Sequence, residues 1–458
     1  MACKTNDEGM NNDISSPNII ILLADDLGWG DLGCYGNPII RTPNLDLLAS
    51  SGIKFTQCHS AGAICSPSRA ALLTGESPYR IGFFELQYED VYLRNEEITI
   101  PELLKQKQYE TFFAGKWHVA PFEKGMTPDT QGFDYYFASQ FNSTSDDNST
   151  KNPTNLVRNG QEVQETEGYY CDLIVNEAMS WLKNTRKANQ PFFMEICFSE
   201  PHCPVTPPEE YAEKYESKEI DSLARTMGYG GLLRFNGRYG GYQTEPNFKL
   251  KKYYYGMVEQ MDDAVGTLIQ YLGSSGLMEN TLIIFTSDNG PRRGANGHKS
   301  AGDLKGYKAN IWEGGHRVPF IARWPGQIKA GIKNDAVISL TDIFATLCEI
   351  KDTHGISGGE DSYNILKQLK GEIIDIDDEN PRIFHSSTGI FALRKGKWKY
   401  IEGVENDRNR VIRPDSSDFP GLLFDMSVDP CETNNVADDY PGIIMDMKEK
   451  PKVIKSQN

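Results

Sequence analysis

The chain has 458 residues, 39% of them hydrophobic and 24% charged, a balance that describes a folded globular protein with one large domain plus an appendage, or more than one domain. A formal net charge of −17 argues against general nucleic-acid binding and repels anions at long range, so any anion site must be a local cationic cluster inside an acidic shell. No run of eighteen apolar residues occurs, and nothing reads as a membrane-spanning helix.

Residues 1–16 are polar and read as a disordered tail. The opening Met1-Ala2-Cys3-Lys4 is open to two readings, a trimmed lipoprotein start with a lipid-bearing Cys3 or a plain chain end. The first would place the protein in the periplasm or at the cell surface; no signal segment is present in the residues given. The nine cysteines are scattered, with no C-x-x-C pair, which suggests neither a disulfide scaffold nor zinc.

Residues 18–24 form a short continuous apolar run, the mark of a strand buried on both faces, and it stops at Asp25-Asp26 followed by glycines. Two adjacent carboxylates at the end of a buried strand are costly unless solvated, capping a helix or bound to a cation. The arrangement recurs. Residues 110–114 lead into Gly115-Lys116-Trp117-His118, 191–198 into Ser199-Glu200-Pro201-His202, and 281–286 into Ser287-Asp288-Asn289-Gly290. Helical stretches lie between them at 101–106, 171–185 and 252–272. This alternation predicts an α/β fold with a large mixed, mainly parallel sheet flanked by helices, and ligands bind beyond the carboxyl ends of such strands. Residues 228–241 are glycine-rich and read as a long loop, and 355–362 as a linker. Beyond it, strands at 382–387, 391–402 and 422–426, with a turn at Lys395-Gly396, predict a smaller antiparallel α+β subdomain. The expected division is therefore a main domain over 17–352 and a C-terminal subdomain over 363–458.

Residues 64–75, Ile-Cys-Ser-Pro-Ser-Arg-Ala-Ala-Leu-Leu-Thr-Gly, open a helix, with Pro67 suited to its first turn. Cys65 would then sit among unpaired backbone N–H groups at the positive end of the helix dipole, with the Arg69 fork directed to the same place. Asp25, Asp26, Asp288 and Asn289 supply only oxygen ligands, a set suited to a hard divalent cation, Ca2+ ahead of Mg2+.

The string C-x-P-S-R followed by L-T-G resembles the signature of the type I, formylglycine-dependent sulfatases of the alkaline-phosphatase superfamily, in which the cysteine is oxidised to formylglycine. The Asp-Asp pair near the first strand and the Asp-Asn pair near a late one are similar to that family's metal ligands. The resemblance implies that Cys65, once converted by a formylglycine-generating maturation enzyme and hydrated, presents an oxygen to sulfur. Arg69 would hold that group, Lys116 and Lys308 would neutralise the sulfate, His202 would protonate the leaving alcohol, and His118 would take the proton that lets sulfate depart. Lys308 is chosen over Lys305 by its distance to Glu313-Gly314-Gly315. Asn142 falls roughly where some members carry a serine near His118. A C-terminal segment, Leu423-Phe424-Asp425-Met426-Ser427-Val428-Asp429-Pro430, resembles another element of the family.

The resemblance implies hydrolysis of sulfate esters, with O-sulfate on a carbohydrate as the expected substrate. Selectivity is expected from Arg234 and Arg238 in the glycine-rich loop and from the segment near His385. Two alternatives stand beside this: a phosphonate or phosphodiester hydrolase of the same superfamily, and an unmatured sulfated-glycan binding protein.

Overall fold

The computed structural model describes residues 16–86, 90–141, 145, 149–218, 220, 222, 247–292, 299–353, 357–372, 380–405, 411–412 and 420–449. Its centre is a ten-stranded sheet. In chain order the strands are β1 (Asn18–Asp25), β2 (Ile53–His59), β3 (Glu110–Lys116), β4 (Tyr135–Ser139), β5 (Val157–Arg158), β6 (Gln161–Glu162), β7 (Phe192–Pro201), β8 (Thr281–Ser287), β9 (Arg317–Arg323) and β10 (Ile332–Ser339). They lie in the order β10-β2-β9-β8-β1-β7-β3-β4-β5-β6. The block β8-β1-β7-β3-β4 is parallel throughout, while β9 runs antiparallel to both of its neighbours. The expected mixed, mainly parallel sheet is borne out, and the reversal at β9 together with the short antiparallel strands β5 and β6 at one edge makes it mixed.

The apolar runs are continuous because both faces of the sheet are covered. Ile20, Leu22 and Ala24 of β1 enter one core with Phe112, Met194 and Ile196, and Ile19, Ile21 and Leu23 enter the other with Phe113 and Phe193. Each such fully buried aliphatic side chain contributes about 1.5–3 kcal/mol relative to exposure. The first core is roofed by the helices Tyr170–Asn184 and Asn247–Ser274, and the second by Cys65–Thr74, Ile100–Lys105 and Asp342–Lys351. Four of these helices lie on stretches that read as helical in the sequence; Asp342–Lys351 is not among them.

Local chemistry sets their ends. Thr99 and Glu102 form a reciprocal capping box at the start of Ile100–Lys105. Asp262, from the long helix, accepts from the backbone N–H groups of Asn44 and Leu45 at 3.0 and 2.8 Å and so caps Pro43–Ser50 across 218 residues of chain. The helix Cys65–Thr74 stops at Gly75, whose φ of 70° is a left-handed cap conformation that glycine adopts without penalty.

A second sheet of four antiparallel strands, β11 (Arg382–His385), β12 (Phe391–Lys395), β13 (Trp398–Ile401) and β16 (Leu422–Asp425), follows, with a two-stranded pair, β14 (Val404–Glu405) and β15 (Val411–Ile412), between its last members. One face packs on Ile311 and Trp312 through Phe384, Ile390, Ile401 and Phe424. The described part of the stretch read as a linker, 357–362, and the residues just after it pack on the main domain. Asp361 accepts from Ser77 N–H and from Arg80, while Ile365 and Leu369 are buried in the second core.

Candidate active site

Strands β8, β1, β7 and β3 are consecutive neighbours and parallel, so their carboxyl ends share one edge. This brings together Asp25-Asp26, Lys116, Ser199 to His202 and Asp288-Asn289 from widely separated stretches. The loop after β2 delivers Cys65 to the same edge as the first residue of its helix, after the extended N-cap Ile64. All ten residues of that helix are buried.

The side chains interlock. Arg69 Nε donates to Asp288 Oδ2 at 2.9 Å, and its Nη1 donates to the Lys116 carbonyl at 3.0 Å. Lys116 Nζ pairs with Asp25 Oδ2, and Lys308 Nζ pairs with Asp26 Oδ1. Lys308 Nζ also lies 2.7 Å from Cys65 Sγ. Asn289 Nδ2 donates to Asp26 Oδ1 at 2.7 Å, and the Asp26 N–H donates to Asp288 Oδ1 at 3.1 Å. His202 Nε2 stands 3.7 Å from Asp26 Oδ2, with Nδ1 2.7 Å from the Cys203 carbonyl. Three non-glycine residues here have left-handed backbone, Asp26 (φ 63°), His118 (φ 53°) and Ala309 (φ 79°), strain of the sort that gathers where geometry serves function. Gly290 has no room for a Cβ, which would collide with the Gly314 carbonyl; the Asp-Asn-Gly and Glu-Gly-Gly segments touch backbone to backbone.

Electrostatics follow from this packing. Burial pushes the Asp25 and Asp26 carboxyls up, but the facing cations outweigh it, Lys116 first for Asp25 and Lys308 first for Asp26, and hold both below the usual range. Burial and the charge of Asp25 raise Asp288 to about 6. Burial raises the Cys65 thiol to about 12, so as a plain cysteine it is a protonated, poor nucleophile. Burial lowers His202 to about 4 against the pull of Asp25 and Asp26, and burial together with Lys116 and Arg69 holds His118 well below its ordinary value.

Asp25 Oδ1, Asp26 Oδ2 and Asn289 Oδ1 are buried with no hydrogen-bond donor. Orphaned oxygens of this kind are expensive, and three of them on the interlocked residues fit a hard cation. Ligand atoms of Asp25, Asp26 and Cys65 lie within 4.8 Å of one another. The residues present therefore fit the group that the sequence called for.

Lys305 is turned elsewhere, 3.3 Å from the Trp312 ring centroid and donating to the Glu432 carbonyl. His385 is 1% exposed and stands under the Cys65 loop: its carbonyl accepts from Ala63 N–H at 3.0 Å, and its ring lies against Gly62 and Tyr79. In the structure this enclosed side chain supports the Cys65 loop. Asn142, Arg234 and Arg238 lie outside the described residues.

Two features were missed in the sequence. Arg292, two residues past Gly290, stands beside Cys203; only its closeness to Asp288-Asn289 could have marked it. The other is a buried ionic knot in which Lys399 of β13 bonds Glu313 at 3.0 Å, Glu432 at 2.7 Å and His316 at 3.1 Å, with His59 against His316. Its members come from four separate stretches without a common motif.

A mainly parallel sheet with a cationic cluster and an oxygen-lined cation cradle at its strand ends defines a hydrolase of anionic esters. A family model described as Sulfatase matches residues 17–352. Over 413 residues the chain is 33% identical to N-acetylgalactosamine-6-sulfatase of Rattus norvegicus, covering 84% of this chain and 71% of that protein. It is 30% identical to arylsulfatase A of Homo sapiens over 462 residues, covering 92% and 83%. A Bacteroides thetaiotaomicron structure, described in connection with metabolism of multiple glycosaminoglycans, superposes with a TM-score of 0.76 at 26% identity, covering 96% of this chain and 99% of that one. The chain belongs to the sulfatase family and is a sulfuric ester hydrolase.

Proposed function

We propose that the protein removes O-sulfate from a carbohydrate, with Cys65 matured to formylglycine by a generating enzyme and Ca2+ held by Asp25, Asp26, Asp288 and Asn289. The observation that carries the catalytic part is the placement of Lys308 Nζ against both Cys65 Sγ and Asp26, which puts a fixed positive charge beside the reacting residue. The carbohydrate part is supported by similarity to an N-acetylgalactosamine-6-sulfatase and to the glycosaminoglycan-related structure.

The matured aldehyde, hydrated, and the bound cation would supply the nucleophile and Lewis-acid charge. The chain's own residues do the rest. Lys116 and Lys308 bind the sulfate oxygens, and because Lys116 is buried and Lys308 largely so, their charge acts at a lower effective dielectric than in water. Arg69, locked onto Asp288, orients the start of the helix. His202 rests neutral, with Nδ1 tied to the Cys203 carbonyl, and takes up a proton at Nε2 as the ester's charge arrives. It can then pass that proton to the leaving alcohol. His118, held neutral, serves as the base for the second half-reaction.

The test is a panel of defined sulfated sugars, an aryl sulfate and phosphate and phosphonate esters, offered to enzyme matured in the cell. Release of sulfate from a sugar with kcat/KM well above that for the aryl sulfate is expected. Preference for phosphate or phosphonate esters would overturn the reading.

A further inference from the structure

Arg292 has no assigned task in the site above. Its side chain is half-buried, and Nη1 donates to Cys203 Sγ. A thiol is a weak acceptor, while a guanidinium carries five donors and is costly to bury without a partner. No described carboxylate forms an ion pair with Arg292, although the chain carries 64 Asp and Glu against 47 Lys and Arg. Burial disfavours its charge, yet Cys203, Asp26, Cys65 and Asp25 all lie close enough to favour it.

Its position is informative. His202 faces Asp26 through Nε2 and the Cys203 carbonyl through Nδ1, and Cys203 carries its sulfur to Arg292. The path from the metal cradle thus runs through the proton-donating ring to Arg292. If His202 serves the ester's leaving oxygen, Arg292 borders the alcohol, where the sugar lies.

We propose that Arg292 is a specificity-determining residue that binds a second oxyanion group of the saccharide, a carboxylate or a further sulfate, through its guanidinium fork. The inference rests on the sulfatase reading and adds to it a substrate class, the doubly anionic glycan. Planar paired donors match carboxylate and sulfate oxygens, and an acidic protein surface makes a single local cation selective rather than generally attractive.

The experiment reads binding alone. Full-length, calcium-loaded protein inactivated by Cys65→Ala is titrated calorimetrically with three versions of one monosulfated disaccharide: with no other charge, with an added carboxylate, and with an added sulfate. One anionic version should bind roughly 10- to 100-fold tighter than the uncharged one, the range for a hydrogen bond to a charged group, and the favoured arm identifies which oxyanion is read. Arg292→Gln should bring the ratio to about one, and Arg292→Lys, which keeps the charge and is the gentler substitution, should retain part of it. Equal binding of all three, or a preference that survives Arg292→Gln, would overturn the inference. Because turnover is not involved, a preference in a protein whose parent hydrolyses nothing counts against the hydrolase reading alone. An active parent without the preference counts against Arg292 alone.

Discussion

Lys308 Nζ stands 2.7 Å from Cys65 Sγ, closing a contact between residues 243 apart in the chain. Lys305, three residues earlier, instead covers the Trp312 ring. Lys308→Ala should therefore lower kcat about 10²- to 10³-fold, the usual loss for one preorganised charge-stabilising donor. Lys305→Ala should cost about 1 kcal/mol of stability through its lost cation–π contact and leave kcat within a few fold. Steady-state kinetics with an aryl sulfate and a thermal melt distinguish the two; similar losses of kcat in both variants would contradict this assignment.

The donor-free oxygens of Asp25, Asp26 and Asn289 make a metal prediction. Calcium at about one hundred times its Kd should stabilise the fold by about 2.7 kcal/mol, raising the melting temperature over chelator-treated protein. Asp26→Asn should abolish that response. Superimposable melts with calcium and with chelator would remove the cation from this site.

Asp31 links stability to pH. Its Oδ2 accepts from Gly28 N–H, Tyr254 hydroxyl and Ser300 hydroxyl, yet burial raises its carboxyl to about 7. Between about pH 4 and pH 7 the folded protein holds a proton that the unfolded chain releases, so this group's contribution falls as pH rises. The loss is complete above pH 7 and on the order of 4 kcal/mol. Asp31→Asn should flatten the decline in melting temperature from pH 5 to pH 8. Parallel pH profiles for the two proteins would show that Asp31 does not titrate in this way.

The knot around Lys399 binds the C-terminal sheet to the Glu-Gly-Gly segment that touches Gly290. Lys399→Met removes the cation between two buried carboxylates and should destabilise by about 3–5 kcal/mol, measured by denaturant unfolding. A loss below about 1 kcal/mol would mean that the pairing is dispensable.

Much of this was legible because local pattern and topology agree. Runs such as 18–24 and 281–286 are buried on both faces, and each ends in its chemistry, Asp25-Asp26 or Asp288-Asn289, at the edge that parallel strands share. Illegible were features set by non-local packing. Nothing in the residues of β9 shows that it runs antiparallel between β2 and β8. Lys399 and Glu313 lie 86 positions apart, and their pairing depends on how the second sheet docks. His385 looked available as a polar residue in the second unit, and it is buried because its strand bridges to Gly62 in the Cys65 loop.

The most direct test measures sulfate release by in-cell matured enzyme and by its Cys65→Ala variant on one sulfated substrate. Cys65 is buried but small, so its truncation should cost about 1 kcal/mol and leave a cooperative melt. With the nucleophile gone, kcat/KM should fall by at least about 10⁴-fold, the scale seen when an essential nucleophile is removed. A folded Cys65→Ala protein that releases sulfate within tenfold of the parent rate would contradict a site built around Cys65.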